Sequence, residues 1–328
     1  MSAPRKVTIR EVALAAGVSP ATVSLVYNDK GEVAQATRER VLREGERLGY
    51  KPGWISKVFR SGRTNIIGVA VLHGDTPIWE RTYLPYYHGI IAGAAMEGLE
   101  HGYTVTALKV EADGSFVDRL SLDGIIVVDP QPGDPTVAQA LAEGIAVIAE
   151  GGYLGTPPPG RLRSVRTDIV TGLPLALDEL KRRGAGRPAF FRGCSRDLYT
   201  DLSEQVYQEW CAAHGHTPVQ YVLGEGESPI HGARVLLNGA GESFDSLYCV
   251  NGTYSRAALA AASELRITVP DELAIAVASE ELDAAVDPRL ISLALDPLES
   301  GRQCVRTLVQ MLEGRDAEDV LLPMSLRG

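Results

Sequence analysis

The sequence is poor in cysteine and lacks any long apolar run. Its four cysteines, Cys194, Cys211, Cys249 and Cys304, are widely separated, a pattern typical of reduced thiols and not of a disulfide scaffold or a zinc site. No stretch approaches the roughly 18–20 apolar residues of a membrane helix, and no apolar segment follows the basic N-terminal residues, as a secretory signal would require. These absences predict a soluble cytoplasmic protein that binds neither a metal nor a membrane.

Recognisable catalytic motifs are also missing. There is no Walker-type loop, no Gly-x-Ser-x-Gly elbow and no His-Glu-x-x-His pair. The glycine-containing segment at 184–189 fits a relaxed dinucleotide-binding pattern, but it follows a predicted helix and precedes a predicted strand. That order is the reverse of what phosphate binding requires. We therefore expect no cofactor and no enzymatic activity.

Charge, by contrast, is present and unevenly distributed. The net charge of -10 would normally argue against a nucleic-acid partner. Residues 1–63, however, carry twelve basic and six acidic residues, whereas residues 64–328 carry twenty basic and thirty-six acidic ones. A small basic segment joined to a large acidic one is typical of a protein that contacts phosphates with one end only, although a solvated basic face without a partner would give the same count.

The basic segment contains the signals of a helix-turn-helix. Thr8 and Glu11 have the spacing of a capping box, which predicts a helix that ends at the following glycine. Ser19 and Pro20 favour the immediate start of a second helix, and a third is predicted over residues 35–48. In such a unit the second helix enters the DNA major groove. A three-helix bundle that binds nothing is the alternative.

This stretch resembles the DNA-binding head of the lactose-repressor-type (LacI/GalR) transcription regulators. The resemblance rests on VTIREVA at 7–13 and AGVSPATVS at 16–24, followed at the expected spacing by Asn28, by TRERV at 37–41 and by LGYKP at 48–52. Base edges would be contacted by Pro20, Ala21 and Leu25, and phosphates by short polar side chains. The predicted DNA contacts of the head are Thr8, Ser19, Pro20, Ala21, Thr22, Ser24, Leu25, Asn28 and Thr37.

The resemblance also implies a hinge helix after the head. Family members pair this helix with that of a second subunit and push an apolar side chain into the minor groove. Here Ser56, Lys57 and Phe59 occupy the contacting positions, with Phe59 as the wedge that kinks the duplex. Gly53 stands where Asn usually caps the helix. Phe59 and its apolar neighbours could also dock the head onto the rest of the chain, and the two roles are compatible.

The acidic remainder alternates short apolar runs with helical stretches. This alternation predicts an α/β fold of doubly wound parallel sheets that bind ligands outside the carboxyl ends of the strands. Two halves, 64–165 and 166–295, would face each other across a cleft, and the resemblance implies a periplasmic-binding-protein-like body of two lobes. The predicted domains are a helix-turn-helix at 1–52, a hinge helix and linker at 53–63, and an effector-binding and dimerisation domain at 64–328.

Polar residues that directly follow predicted strands are candidate effector contacts, because their side chains could bond to ligand hydroxyls. Trp79 and Tyr86 could add an aromatic face. The resemblance places at Ser203 an arginine that grips effector hydroxyls. Each residue could equally be ordinary loop polarity. The candidates are His73, Asp75, Trp79, Asp129, Glu150, Ser203, Asn251 and Glu280.

This part of the sequence departs from the family pattern. Ser203 replaces that arginine, and Gly252 follows Asn251 where the family usually has Asp. The segment from Tyr103 to Asp123 is also shorter than usual, so that one flanking helix is expected to be truncated. An ordinary sugar, a modified sugar, another metabolite or no effector therefore all remain open.

Together these observations predict a transcriptional regulator that binds a palindromic operator in double-stranded DNA as a homodimer. A repressor is favoured over an activator. Its operator affinity would change when a small molecule such as a sugar binds between the lobes, with inducer and co-repressor action equally compatible. The chain ends without a heptad segment, which predicts a dimer and not a tetramer. The alternatives are a regulator that answers to a protein partner or to nothing, and a solute-binding protein, against which the missing export signal and the complete head both argue.

Overall fold

The structure is a computed structural model that describes residues 7–27, 31–50, 63–71, 85–111, 113–115, 121–238, 243–280 and 287–327. The chain divides into two compact units, Met1–Asn65 and Ile66–Gly328. Seven predicted site residues lie outside the described ranges and remain predictions: Asn28, Ser56, Lys57, Phe59, His73, Asp75 and Trp79.

The first unit contains three helices within its described residues: α1 (Ile9–Ala16), α2 (Pro20–Tyr27) and α3 (Gln35–Leu48). The predicted capping box is present, since the Thr8 backbone N–H donates to Glu11 Oε2 at 2.8 Å. The turn begins at Gly17, whose φ of 62° lies in the left-handed region that glycine favours. Small and branched side chains fill the core between the helices: Val12, Ala13, Ala16, Val23, Val26 and Val41. The predicted helix-turn-helix is confirmed.

The second unit is an alternation of strands and helices. In chain order its described elements are β1 (Ile66–Val71), α4 (Pro85–Glu100), β2 (Thr104–Ala107), β3 (Gly124–Val128), α5 (Pro135–Ala142), β4 (Ala146–Glu150), β5 (Leu162–Thr167), α6 (Ile169–Arg182), β6 (Pro188–Arg192), α7 (Leu198–Ala213), β7 (Val219–Val222), α8 (Pro229–Leu237), β8 (Ser246–Cys249), α9 (Gly252–Leu265), β9 (Ala274–Glu280), β10 (Leu290–Leu295), α10 (Pro297–Leu312), β11 (Val320–Leu322) and β12 (Ser325–Arg327).

These strands form two sheets, one in each lobe. Within the described residues the first sheet has the order β11-β5-β4-β3-β1-β2 and the second β12-β10-β9-β8-β6-β7. All pairs are parallel except β10 with β12. The central strands are buried along almost their whole length, as expected where helices cover both faces of a parallel sheet. The predicted α/β class and two-lobed body are confirmed.

The chain passes between the lobes three times within its described part. It crosses from β5 to α6 at Asp168, from β10 to α10 at Asp296, and from β11 to β12 at residues 323–324. Asp168 and Asp296 each cap the helix that follows, accepting hydrogen bonds from Thr171 N at 3.2 Å and from Glu299 N at 2.9 Å. The predicted halves are thus incomplete, because α10 and β11 return to the first lobe.

Helices α4 and α10 lie side by side on one face of the first sheet and approach at glycines. A Cβ at Gly301 would overlap the carbonyl oxygen of Ile90, and one at Gly93 would overlap that of Leu298. The same two helices are joined by Arg306, whose Nε and Nη2 donate to the Glu97 carboxylate at 2.8 and 3.0 Å. This pairing lowers the pKa of Glu97. Backbone contact and an ion pair therefore fix the two helices together.

The segment between β2 and β3 is short, as the sequence indicated. Its described residues, 108–111, 113–115 and 121–123, contain no helix. Leu108 and Leu122 instead cover Gly68 of β1, where an added Cβ would overlap Leu108. Among the described residues of this segment, two leucines therefore cover this end of the sheet.

In the described residues no single helix is long and apolar enough to cross a membrane. The pair α1 and α2, bent by 102° at the intervening turn, reaches that length and hydropathy only when its two helices are counted together.

Candidate functional site

Helix α2 presents the predicted base-contacting residues on one face. Pro20 and Ala21 are exposed, and Leu25 is 39% exposed, whereas Val23 and Val26 point into the core. Part of Leu25 packs on the loop that follows, because a Cβ at Gly31 would lie 3.4 Å from its Cδ2. The exposed face of α2 is therefore apolar at the three positions expected to meet base edges.

The predicted phosphate-contacting residues lie near helix starts. Thr8 is exposed ahead of α1, Ser19 is exposed ahead of α2, and Thr37 is half-buried in the first turn of α3. Ser19 Oγ accepts a hydrogen bond from the Thr22 backbone N–H at 3.0 Å, and the two hydroxyl oxygens are 2.9 Å apart. Ser24 is half-buried. Backbone N–H groups at helix N-termini favour phosphate oxygens, so these positions suit backbone contacts with a duplex.

The second helix is held in place by an aromatic pair and a glycine. Tyr27, at the end of α2, stacks edge-on against Tyr50 with ring centroids 5.2 Å apart. Its hydroxyl lies over Gly45 of α3, where any Cβ would overlap it. The sequence did not single out Gly45, although a glycine in the middle of a predicted helix is a signal of close packing.

In the body, Asp129 directly follows β3, and Glu150 is the last residue of the neighbouring strand β4. The Asp129 backbone N–H donates to the Glu150 carbonyl oxygen at 2.9 Å. Asp129 has a φ of 49°, and a Cβ at the adjacent Gly151 would lie 2.5 Å from its Oδ1. The Tyr87 hydroxyl donates to Asp129 Oδ2 at 3.3 Å. The two carboxyls thus meet at the carboxyl edge of the first sheet, as predicted for this fold.

Glu150 has no exposed surface. Its Oε1 accepts hydrogen bonds from the hydroxyls of Tyr86 and Ser300, both at 2.8 Å, whereas its Oε2 is buried and has no partner among the described residues. Burial, followed by the charge of Asp129, raises the pKa of Glu150 to about 8. At neutral pH this side chain is therefore a carboxylic acid with one unused oxygen.

Asp197 and Tyr199 of the second lobe lie near Glu150 and Tyr86 of the first lobe. Asp197 caps α7, accepting from Thr200 N at 2.8 Å and from the Ser195 hydroxyl at 2.7 Å. The Tyr199 hydroxyl donates to the Val250 carbonyl at 3.2 Å. The charge of Asp197 contributes to the raised pKa of Glu150, and Tyr199 contributes to that of Tyr86. Charged and hydroxyl groups of the two lobes therefore lie close enough to influence one another.

The remaining candidates of the second lobe differ in placement. Asn251 is half-buried and caps α9, with its Oδ1 accepting from Thr253 N at 2.9 Å. Glu280 ends β9 and is 8% exposed. Ser203 is fully buried, and its hydroxyl donates to the Tyr199 carbonyl at 2.7 Å. Because that hydroxyl is bonded within its own helix, we leave Ser203 out of the effector contacts proposed below.

Sequence reasoning did not identify Ser300, Asp197 or Tyr199. Ser300 follows Glu150 by 150 residues, and only the return of α10 to the first lobe brings them together. Asp197 is a residue type that often caps a helix, and it accepts from Thr200 N three residues later, so the sequence could have indicated this helix start. Tyr199 lies between the two residues. Among the described residues, no group of three or more His, Cys, Asp or Glu side chains could hold a metal ion.

Comparison with known proteins agrees with these features. Residues 8–53 match the family model for bacterial regulatory proteins of the lacI family, and residues 177–327 match that for a periplasmic binding protein-like domain. The chain is 26% identical to the HTH-type transcriptional regulator CelR of Thermobifida fusca, over 98% of this chain and 96% of CelR. It is 27% identical to the HTH-type transcriptional regulator PtxS of Pseudomonas aeruginosa, over 98% of this chain and 94% of PtxS.

Solved structures show the same fold. A complex of the transcriptional regulator CelR with cellobiose has a TM-score of 0.70 at 23% identity and covers 98% of this chain and 99% of its own. A lac repressor dimer bound to operator and the anti-inducer ONPF has a TM-score of 0.78 at 21% identity, with 99% and 98% covered. From its helix-turn-helix, its two-lobed body and its full-length relatives, this chain belongs to the lacI family of bacterial regulatory proteins and is a DNA-binding transcriptional regulator.

Proposed function

We propose that this regulator is a cytoplasmic repressor, without enzymatic activity, that binds a palindromic operator as a homodimer and responds to a small molecule bound between its lobes. The observation that carries the effector part is the buried Glu150, one oxygen of which has no partner among the described residues, although Asp197 of the second lobe acts on this side chain. The proposed effector contacts among the described residues are Asp129, Glu150, Asn251 and Glu280. The predicted contacts His73, Asp75 and Trp79 belong to the same proposal.

Coupling between effector and operator follows from linkage. If the effector binds one arrangement of the lobes better, and that arrangement changes the spacing of the two heads, effector and operator alter each other's affinity by the same factor. The CelR–cellobiose complex and the operator-bound lac repressor dimer are structures of relatives in which a ligand or DNA is present. These relatives support the proposal that this chain binds operator DNA and a small-molecule effector.

The test of this proposal begins with a selection of bound duplexes from a random library, using purified protein at a stated salt concentration. A recovered palindrome with a flexible central step would support the dimer and the Phe59 wedge. The operator would then be titrated with protein in the presence of a metabolite panel, and thermal unfolding would be followed in parallel, since a ligand that binds the folded state stabilises it. A regulator without an effector would show neither response.

Replacing Leu25 by arginine should change the half-site sequence. Leucine can offer a thymine methyl only apolar contact, whereas arginine can bond to guanine O6 and N7, and such a pair discriminates by about 1–3 kcal/mol. The same library selection with Leu25→Arg is therefore expected to yield guanine at one position of each half-site.

The comparison variant is Thr22→Ala. Loss of one hydroxyl contact to a phosphate should weaken all sites alike, by about 1 kcal/mol, without a change of preferred sequence. Measured affinities for the wild-type palindrome and for several variants of it would separate the two effects. Equal losses on every sequence for both substitutions would contradict the role assigned to Leu25.

A further inference from the structure

The Glu150 carboxyl is asymmetric. Two hydroxyl donors, from Tyr86 on α4 and Ser300 on α10, both reach Oε1, each at 2.8 Å. Oε2 is equally buried and bonds to no residue in the described part of the chain. A buried polar oxygen without a partner costs about 1–3 kcal/mol, and such atoms are rare in folded proteins. The fold therefore leaves one buried oxygen of Glu150 unused, close to Asp129 and Asp197.

The surroundings of Glu150 are acidic. Among the described residues the charged groups that act most strongly on it are Asp129, at the end of β3, and Asp197, at the start of α7. The other polar groups facing it are Tyr86 from α4 and Ser300 and Cys304 from α10. Where the family resemblance places an arginine, Ser203 is turned into its own helix. The carboxyls of Glu150, Asp129 and Asp197 thus come from two lobes and lie near one another. The position of Ser203 supplies no cation to them.

We infer that the effector of this regulator is a small polar molecule carrying a protonated amine, such as an amino sugar or an aliphatic amine, whose ammonium group binds Glu150 Oε2. The inference rests on the proposed effector function and names the ligand class. An ammonium group supplies three hydrogen-bond donors and a positive charge, which match an unused acceptor flanked by Asp129 and Asp197. An anionic ligand would meet the same carboxylates and be repelled.

Binding of such a ligand is expected to release a proton from Glu150. Without ligand, Glu150 carries a proton because its pKa is about 8. An adjacent ammonium favours the carboxylate, so the Glu150 proton leaves to the buffer as the ion pair forms, and the amine keeps its own proton. A neutral ligand would accept a hydrogen bond from the carboxylic acid instead and release nothing. Proton release therefore distinguishes the two ligand classes.

The experiment uses the full chain at pH 6.5 and pairs of probes that differ only in the amine. D-glucosamine is compared with D-glucose, D-galactosamine with D-galactose, and putrescine with 1,4-butanediol. Thermal unfolding detects binding, and calorimetry in phosphate and in HEPES measures the protons released. At least one amine is expected to raise the Tm where its partner does not, and to release close to one proton per site, the fraction that follows from the pKa of Glu150.

Glu150→Gln removes the titrating group but keeps the shape of the side chain. It is expected to abolish proton release and to weaken the amine tenfold or more, because a hydrogen bond to a charged group is lost. The matched control is Glu143→Gln at the exposed end of α5, which should bind as the wild type does. Unchanged binding of the amine by Glu150→Gln would remove Glu150 from the site.

Two other results would overturn the ligand class. One is a neutral probe that binds as well as its amine without proton release. The other is the absence of a Tm increase with any amine at tens of millimolar. The proposed effector function is judged separately, by whether any metabolite changes operator affinity. A neutral metabolite that does so would leave the cleft as the effector site and end the amine inference alone.

Discussion

Gly301→Ala is expected to destabilise the second unit by about 3 kcal/mol. The added methyl would overlap the Ile90 carbonyl oxygen and lie 2.8 Å from Ala94 N. Both atoms belong to the α4 backbone, so no side chain can rotate away. The helices would have to separate, and overpacking of a tight contact costs about 1–3 kcal/mol, occasionally more. Separation would also stretch the Arg306–Glu97 hydrogen bonds, which span the same pair of helices.

Chemical unfolding of the full chain, followed by tryptophan and tyrosine fluorescence, would measure this loss. The matched control is Gly186→Ala, because the nearest atoms to a Cβ there all belong to Lys181, at 3.4 Å or more, which is ordinary contact. The control should stay within about 0.5 kcal/mol of the wild type. If Gly301→Ala were as stable as the control, the close approach of α4 and α10 would be refuted.

Glu150→Gln is expected to stabilise the second unit at alkaline pH and to flatten its dependence on pH. The folded pKa of Glu150 is about 8, against an ordinary value of 4.5. Between these values the folded chain holds a proton that the unfolded chain has released, so stability falls as pH rises. Below pH 4.5 both states are protonated and the residue has no effect. Glutamine stays neutral throughout and removes this slope.

The difference in unfolding free energy between variant and wild type should therefore shift in favour of the variant by about 2–3 kcal/mol from pH 5.5 to pH 8. Denaturant titrations at four pH values would record it, with Glu143→Gln as the control whose difference from the wild type stays constant. Two parallel pH profiles for wild type and Glu150→Gln would show that Glu150 is already ionised in the folded chain.

The head was predictable because its signals are local. Thr8 with Glu11, and Ser19 with Pro20, mark helix starts within four residues, and the structure has α1 and α2 beginning there. The apolar residues that follow have helical spacing and form the core. Even the exposed position of Leu25 follows from that spacing. No long-range contact is needed to place these elements.

The cleft was predictable only in part. Asp129 and Glu150 were identified because each follows an apolar strand, and parallel strands of one sheet end at the same edge. Ser300, Asp197 and Tyr199 were not, since their contacts depend on how often the chain crosses between lobes. Ser203 was chosen because of its position in the family pattern. That pattern does not predict the side-chain orientation of a serine that replaces a longer arginine.

The three passages between the lobes have a consequence during translation. Except for its edge strand β12, the second lobe is formed by one continuous stretch of sequence from α6 to β10. The first lobe also needs α10 and β11, which follow that stretch in the sequence. Until α10 leaves the ribosome, its Val305 and Leu308 cannot cover Ile126 and Ile148 of the first sheet. Because domains fold as their residues emerge, the lobe translated first gains its covering helix α10 only after the parallel strands of the second lobe are complete. Nascent chains that stall before Pro297 would present an uncovered apolar sheet to chaperones.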